Sequence, residues 1–261
     1  MNDTSSNLEK RVFRALSAIC LVGFPLILLL VDLTGVHPGL GRGTGADQIK
    51  ALADQSDAWA WVHGLFVLAG VFALASMLIL RRLVAERDST LAPEIAASIG
   101  VLGAVVFIGT VLMEVVVIPD LSEACAASPA CLSAENRIFT EVFANHGWRV
   151  LPGLNWGAHG VALGLVLLGG LGMKAKALSL WEGGFLAAGG LYEFYVGTGL
   201  HAWGTFNPSS GMTGLSGVLV LIGSCGIAAR ILLDRAGSPE VPLEAVVPRS
   251  DPPKEVGYKE G

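Results

Sequence analysis

The stretch IAASIGVLGAVVFIGTVLMEVVVI, Ile95 to Ile118, is 24 residues long and holds a single charge, Glu114. A helix rises about 1.5 Å per residue, and a hydrocarbon core of about 30 Å needs roughly 20 apolar residues to cross it. A helix that is apolar on every side must have lipid or protein all round it, so this run reads as a membrane span. Five more runs of similar length flank it, giving spans at about 13–33, 59–80, 95–118, 150–173, 178–200 and 212–233. The composition agrees: of 261 residues 52% are hydrophobic and 15% charged, with a mean hydropathy of +0.62. A soluble domain of this size carries more polar surface. The runs are continuous rather than alternating in ten-residue segments, and 34 glycines suit closely packed membrane helices better than a barrel. The expected fold is therefore all-α, a polytopic six-transmembrane-helix bundle over residues 1–235.

Lys10, Arg11 and Arg14 precede the first run as they would in a secretory signal, but Ala15–Val31 continues without a small-x-small cleavage site, so it reads as a retained helix. Orientation follows from Lys and Arg. An inside N-terminus puts Lys10, Arg11, Arg14, Arg81, Arg82, Arg87, Lys174, Lys176, Arg230, Arg235, Arg249, Lys254 and Lys259 on the cytoplasmic side, thirteen of 17. Arg42, Lys50, Arg137 and Arg149 fall outside. Both termini are thus expected in the cytoplasm, and the chain in the cell membrane as a multi-pass protein. A net charge of −5, with basic residues at helix ends, excludes a nucleic-acid footprint. The partners in view are the lipid bilayer and a small ligand or cation, with a homo-oligomer or larger membrane complex left open.

On this topology Cys125 and Cys131, in EACAASPACLS, lie in an outer loop, where an oxidising compartment allows a small disulfide loop. Cys20 and Cys225 lie within spans. The first outer loop, 34–58, is glycine-rich and then reads as a short helix, Ala46–Asp54. The connection 119–149 holds the cysteine loop. Ile138, Phe139, Val142 and Phe143 then recur at helical spacing, as in an amphipathic surface helix. The tail 236–261 mixes Pro239, Pro242, Pro248, Pro252 and Pro253 with charges and reads as disordered.

Polar groups inside spans carry the functional signal, because ionisable residues facing hydrocarbon cost about 2.5–3.5 kcal/mol on insertion scales. Glu193 sits in GGLYEFYVGTGLHAW (Gly189–Trp203), sharing a face with Gly189, Gly190 and Gly197 and flanked by Tyr192 and Tyr195. Helical rise puts Glu114 and His63 each about 6 Å below the outer boundary, Glu193 about 10 Å and His159 about 14 Å. Asn155 is one turn above His159, His201 closes the fifth run, Asp32 the first, and His37 and His146 fall in loops. The inner half is nearly free of such groups. The expected ligand-binding set is His63, Glu114, Asn155, His159, Tyr192, Glu193 and His201, lining a pocket open to the outside.

Several chemistries suit these residues. His63, Glu114, His159 and Glu193 are a donor set for zinc, iron or manganese, although each comes from a different helix. A b-type haem on His63 and His159 is a further option, which would make the chain a metal- or haem-dependent membrane oxidoreductase. Protonatable acids beside histidines suit binding and transport of a cation or a proton-coupled solute, the leading expectation. A third class is a non-catalytic accessory subunit whose polar groups only tie helices together. Finally, Gly214-Leu215-Ser216-Gly217 resembles the GxSG motif of rhomboid intramembrane proteases, and His159, followed by Gly160 and Gly164, loosely resembles their histidine helix. That resemblance covers under a tenth of the chain, with the order of the two helices reversed, and it implies a Ser216–His159 nucleophile pair.

Overall fold

The computed structural model describes residues 3–34, 45–134, 153–202 and 210–233. Among them every regular element is an α-helix. In chain order these are α1 (Asp3–Thr34), α2 (Gly45–Ala53), α3 (Ser56–Ala85), α4 (Ala92–Ala126), α5 (Pro129–Ala134), α6 (Gly153–Lys174), α7 (Leu180–Ala202) and α8 (Ser210–Leu233). Five of the long helices, α1, α3, α4, α6 and α8, are long and apolar enough to cross a membrane. Apolar side chains such as Leu16, Leu78, Leu102, Leu191 and Ile222 stand exposed on their surfaces, a coat that suits lipid as solvent. The helical residues 135–149 expected from periodicity and the tail 236–261 lie outside the described residues.

The long helices form a ring. Each packs on two neighbours in the order α1, α3, α4, α6, α7, α8 and back to α1, and α3 also touches α6 across the middle. Neighbours along the chain run antiparallel. The pairings show it: Gly23 meets Phe72, Gly70 meets Phe107 and Ile108, Gly103 meets Gly160, Gly190 meets Ala162, and Gly189 meets Val220. All the basic helix ends therefore gather at one end of the bundle, and α2 and α5 at the other, the capped end.

Between membrane helices there is little hydrophobic drive, since lipid is as apolar as leucine, and close van der Waals approach supplies the cohesion. The α4–α6 contact is the tightest. A Cβ on Gly160 would lie 2.6 Å from the Gly103 Cα, and one on Gly164 2.7 Å from the Gly100 Cα. Leu21, Ala73, Met77, Leu80, Ala104, Leu165, Leu168, Leu186 and Ile227 fill the space inside the ring. The glycine face expected on α7 divides in two, because Gly189 packs on α8 and Gly190 on α6.

Two boundaries differ from expectation. The α1 helix begins some ten residues earlier than expected, at Asp3. The third span was expected to close at 118, before Pro119, yet α4 runs on to Ala126. Its 35 residues span about 50 Å, well beyond a hydrocarbon core of about 30 Å. Proline removes one intrahelical hydrogen bond, which kinks or breaks a helix only where nothing else holds it. Here the last turns are held from outside, by α2, α5 and the Cys125–Cys131 disulfide (Cα–Cα 5.2 Å). The disulfide and the short second helix both match expectation.

Gly160→Val should separate α4 from α6, because its side chain meets backbone that has nowhere to go. The expected loss is about 3 kcal/mol or more, against little change for Gly170→Ala, whose Cβ meets nothing within 4 Å. Thermal unfolding in detergent reads the contrast.

Candidate functional site

In the first turns of α3, Trp59 and His63 are one turn apart on one face. Their rings stack, with centroids 4.1 Å apart and planes at 23°, and Phe66 meets the imidazole edge-on at 5.6 Å. The His63 Nδ1 lies 2.8 Å from the Trp59 carbonyl oxygen. Its Nε2 lies 3.1 Å from Glu114 Oε2 on α4, and the Trp59 indole Nε1–H donates to the Glu114 backbone carbonyl at 3.2 Å. The His63 side chain is 4% exposed and that of Glu114 20%.

This geometry fixes the proton count. A carbonyl oxygen only accepts, so the Nδ1 of His63 carries a hydrogen. Its Nε2 then faces a carboxylate oxygen at hydrogen-bond distance, and two lone pairs there would repel. One proton must lie between them. The pair is imidazolium with carboxylate or imidazole with carboxylic acid, and its net charge is zero in both forms. Losing that proton leaves one buried negative charge.

The helices bring the two residues together by register. His63, Gly70 and Met77 follow one another at seven-residue steps on α3, and their partners Glu114, Phe107 and Gly100 do the same on α4. Two antiparallel helices in contact along a period of two turns must place His63 level with Glu114. Above the pair lies the cap, where Ile49, Leu52, Trp59 and Cys125 form an apolar cluster with Ala126, Cys131 and Leu132 against it. Trp59 belongs to both layers.

The remaining candidates sit elsewhere. His159 on α6 is partly buried and meets Phe194 of α7 edge-to-face at 5.2 Å. Tyr192 and Glu193, on α7 beside Phe194, are also partly buried. The side chains of Asn155, Tyr195, His201 and Asp32 lie outside the described residues, as do His37 and His146 altogether. Among the described residues no three His, Cys, Asp or Glu side chains converge as a metal site requires. Of the expected donors, His63 and Glu114 meet each other. With Nδ1 on the Trp59 carbonyl and Nε2 on Glu114, His63 could take a metal or haem iron only by giving up the Glu114 contact. Nor is a serine–histidine pair assembled: the Ser216 hydroxyl donates to the Gly189 carbonyl at 3.0 Å, tying α8 to α7.

At the basic end, sequence reasoning missed Glu182. Its carboxylate accepts from the Ser179 amide at 2.8 Å and from Arg230 Nε at 3.2 Å, while the Glu182 amide donates to the Ser179 hydroxyl at 3.3 Å. The signal was present in Ser179-Leu180-Trp181-Glu182, the spacing of a capping box at the start of α7. Glu182 serves the helix start and the α7–α8 contact.

Glu114→Gln keeps the shape and lets the amide donate to His63 Nε2, so stability should change by less than about 1 kcal/mol, in line with interhelical hydrogen bonds of about 0.6 kcal/mol. Glu114→Ala strands a buried imidazole nitrogen and should cost about 1–3 kcal/mol. Unfolding of both variants in detergent checks the order.

Comparison with family models, curated proteins and solved structures finds no match, so the functional reading rests on this geometry.

Proposed function

We propose that this chain is a multi-pass protein of the cell membrane, with six spans and both termini cytoplasmic, that binds and moves a cation or a proton-coupled small solute through its outward-facing half. The antiparallel ring supports α7 as the sixth span. The charge asymmetry supports the orientation. Among the described residues, Arg82, Arg87, Lys174 and Arg230 lie at one end, whereas the capped end exposes Asp47, Asp54, Asp57, Asp120 and Glu123 beside Lys50. A disulfide at the capped end suits the oxidising side of the membrane.

One observation carries the functional reading: His63 Nε2 and Glu114 Oε2 lie 3.1 Å apart, a hydrogen-bond distance, between two membrane helices. Loaded, the site is neutral and cheap to keep in a dry place. Unloaded, it carries a net negative charge that hydrocarbon penalises, and a bound cation removes that penalty. Proton and cation therefore compete for one carboxylate, which is the elementary requirement for coupling their movements. His159, Tyr192 and Glu193, with Asn155 and His201, supply polar groups on α6 and α7 for the rest of the path.

Adding sodium, potassium or calcium chloride in turn to weakly buffered protein in detergent should release up to about one proton per chain with one of them, and none from Glu114→Gln. In vesicles the same cation should drive proton flux that Glu114→Gln and Glu193→Gln abolish while the protein stays folded. Normal flux in both variants, or no proton release with any cation, would leave the pair as a tie between α3 and α4. Tags at either terminus should report the cytoplasm.

A further inference from the structure

The geometry points to a lid: α2, the last turns of α4 and α5 form one disulfide-clamped body that closes the His63–Glu114 pair off from the outer solution, with Trp59 as its latch. This deepens the reading above and rests on it only in taking the pair as the site. Trp59 is the residue through which cap and pair are joined. On one side it packs with Ile49, Leu52 and Cys125. On the other its ring covers the His63 imidazole, its carbonyl accepts the Nδ1 hydrogen, and its indole donates to the Glu114 carbonyl. The Trp59 ring covers one face of the His63 imidazole, which is 4% exposed, and the same ring is packed into the apolar cluster of the cap.

The cap is a separate body by construction. Its cluster shares no residue with the core inside the ring. It is held to the bundle by α4 running past Pro119, by contacts of α2 with α3 and α4, and by Trp59. Internally it is stapled: Cys125 at the end of α4 is bonded to Cys131 in α5, the Cys131 amide donates to the Ser128 hydroxyl at 3.3 Å, and α2 packs on α5. A layer stapled within itself and joined to the bundle through one helix end and one apolar cluster is able to open as a unit, and such local openings lie below the free energy of global unfolding. The staple makes the lid stiff, and Trp59 decides whether it is shut.

Exposure of His63 tests this directly, because diethyl pyrocarbonate acylates an accessible imidazole nitrogen and mass spectrometry resolves the sites. In the oxidised protein in detergent His63 should label slowly. After reduction with a phosphine it should label faster by about tenfold, while His159, deeper in the bundle, keeps its rate. Trp59→Ala should give the same rise without reductant. Leu52→Asn, which breaks the cap cluster without touching the pair, should do so too and guards against a Trp59 variant that folds poorly. Equal labelling of His63 in the oxidised and reduced protein would overturn the lid. So would a rise at His159 in step with His63, which would mean that the cap and the bundle are one body. A rise in Trp59→Ala alone would overturn it as well, since the ring would then shield His63 without the cap. Labelling reads exposure alone, so it stands apart from the outcome of any flux measurement.

Discussion

The hydrogen that His63 donates from Nδ1 to the Trp59 carbonyl governs the chemistry of the capped end. With that nitrogen committed, Nε2 is the only one left to face α4, and Glu114 can meet it only through a proton. The same hydrogen bond sets the imidazole plane parallel to the indole above it, so the stack and the acid–base contact are two consequences of one constraint. Water would relax this arrangement by offering every group another partner. Inside a ring of apolar helices the alternatives are few.

The pair does not hold the bundle together. Interhelical hydrogen bonds in membranes average about 0.6 kcal/mol, so cohesion has to come from elsewhere. Gly100 and Gly103 against Gly164 and Gly160 bring backbones into contact over one turn, and the side chains inside the ring fill what remains. Polar ties such as Ser76 to the Cys20 carbonyl and Ser216 to the Gly189 carbonyl set the rotation of helices already in contact. A protein whose stability rests on glycine packing can keep a polar pair at one end without depending on it to stay folded.

Much of this was legible in the sequence because the membrane imposes simple rules. Uninterrupted apolar length gives the long helices, Lys and Arg distribution gives an orientation to test, and two cysteines with five residues between them give the disulfide. Equal depth for His63 and Glu114, about 6 Å from the outer boundary by helical rise, already placed them at one level. Their contact was not legible, because depth does not say which helices are neighbours or how each is rotated. The extension of α4 past Pro119 escaped for a related reason: proline argues against a helix locally, and only the tertiary partners α2 and α5 override it. The fate of Ser216 shows the converse. A GxSG string carries no information about which carbonyl its hydroxyl will meet, and in this fold it is Gly189.

The two ends of the molecule therefore do different work. At the basic end Glu182 neutralises Arg230 and caps α7, so its charge is spent within a few ångströms and its hydrogen bonds fasten a helix start. At the capped end Glu114 faces an imidazole at hydrogen-bond distance rather than a guanidinium. A guanidinium never gives up its proton under ordinary conditions, whereas an imidazole is able to release one, which is what the proposed exchange requires. The choice of partner base, more than the burial of the acid, separates the fastening from the site.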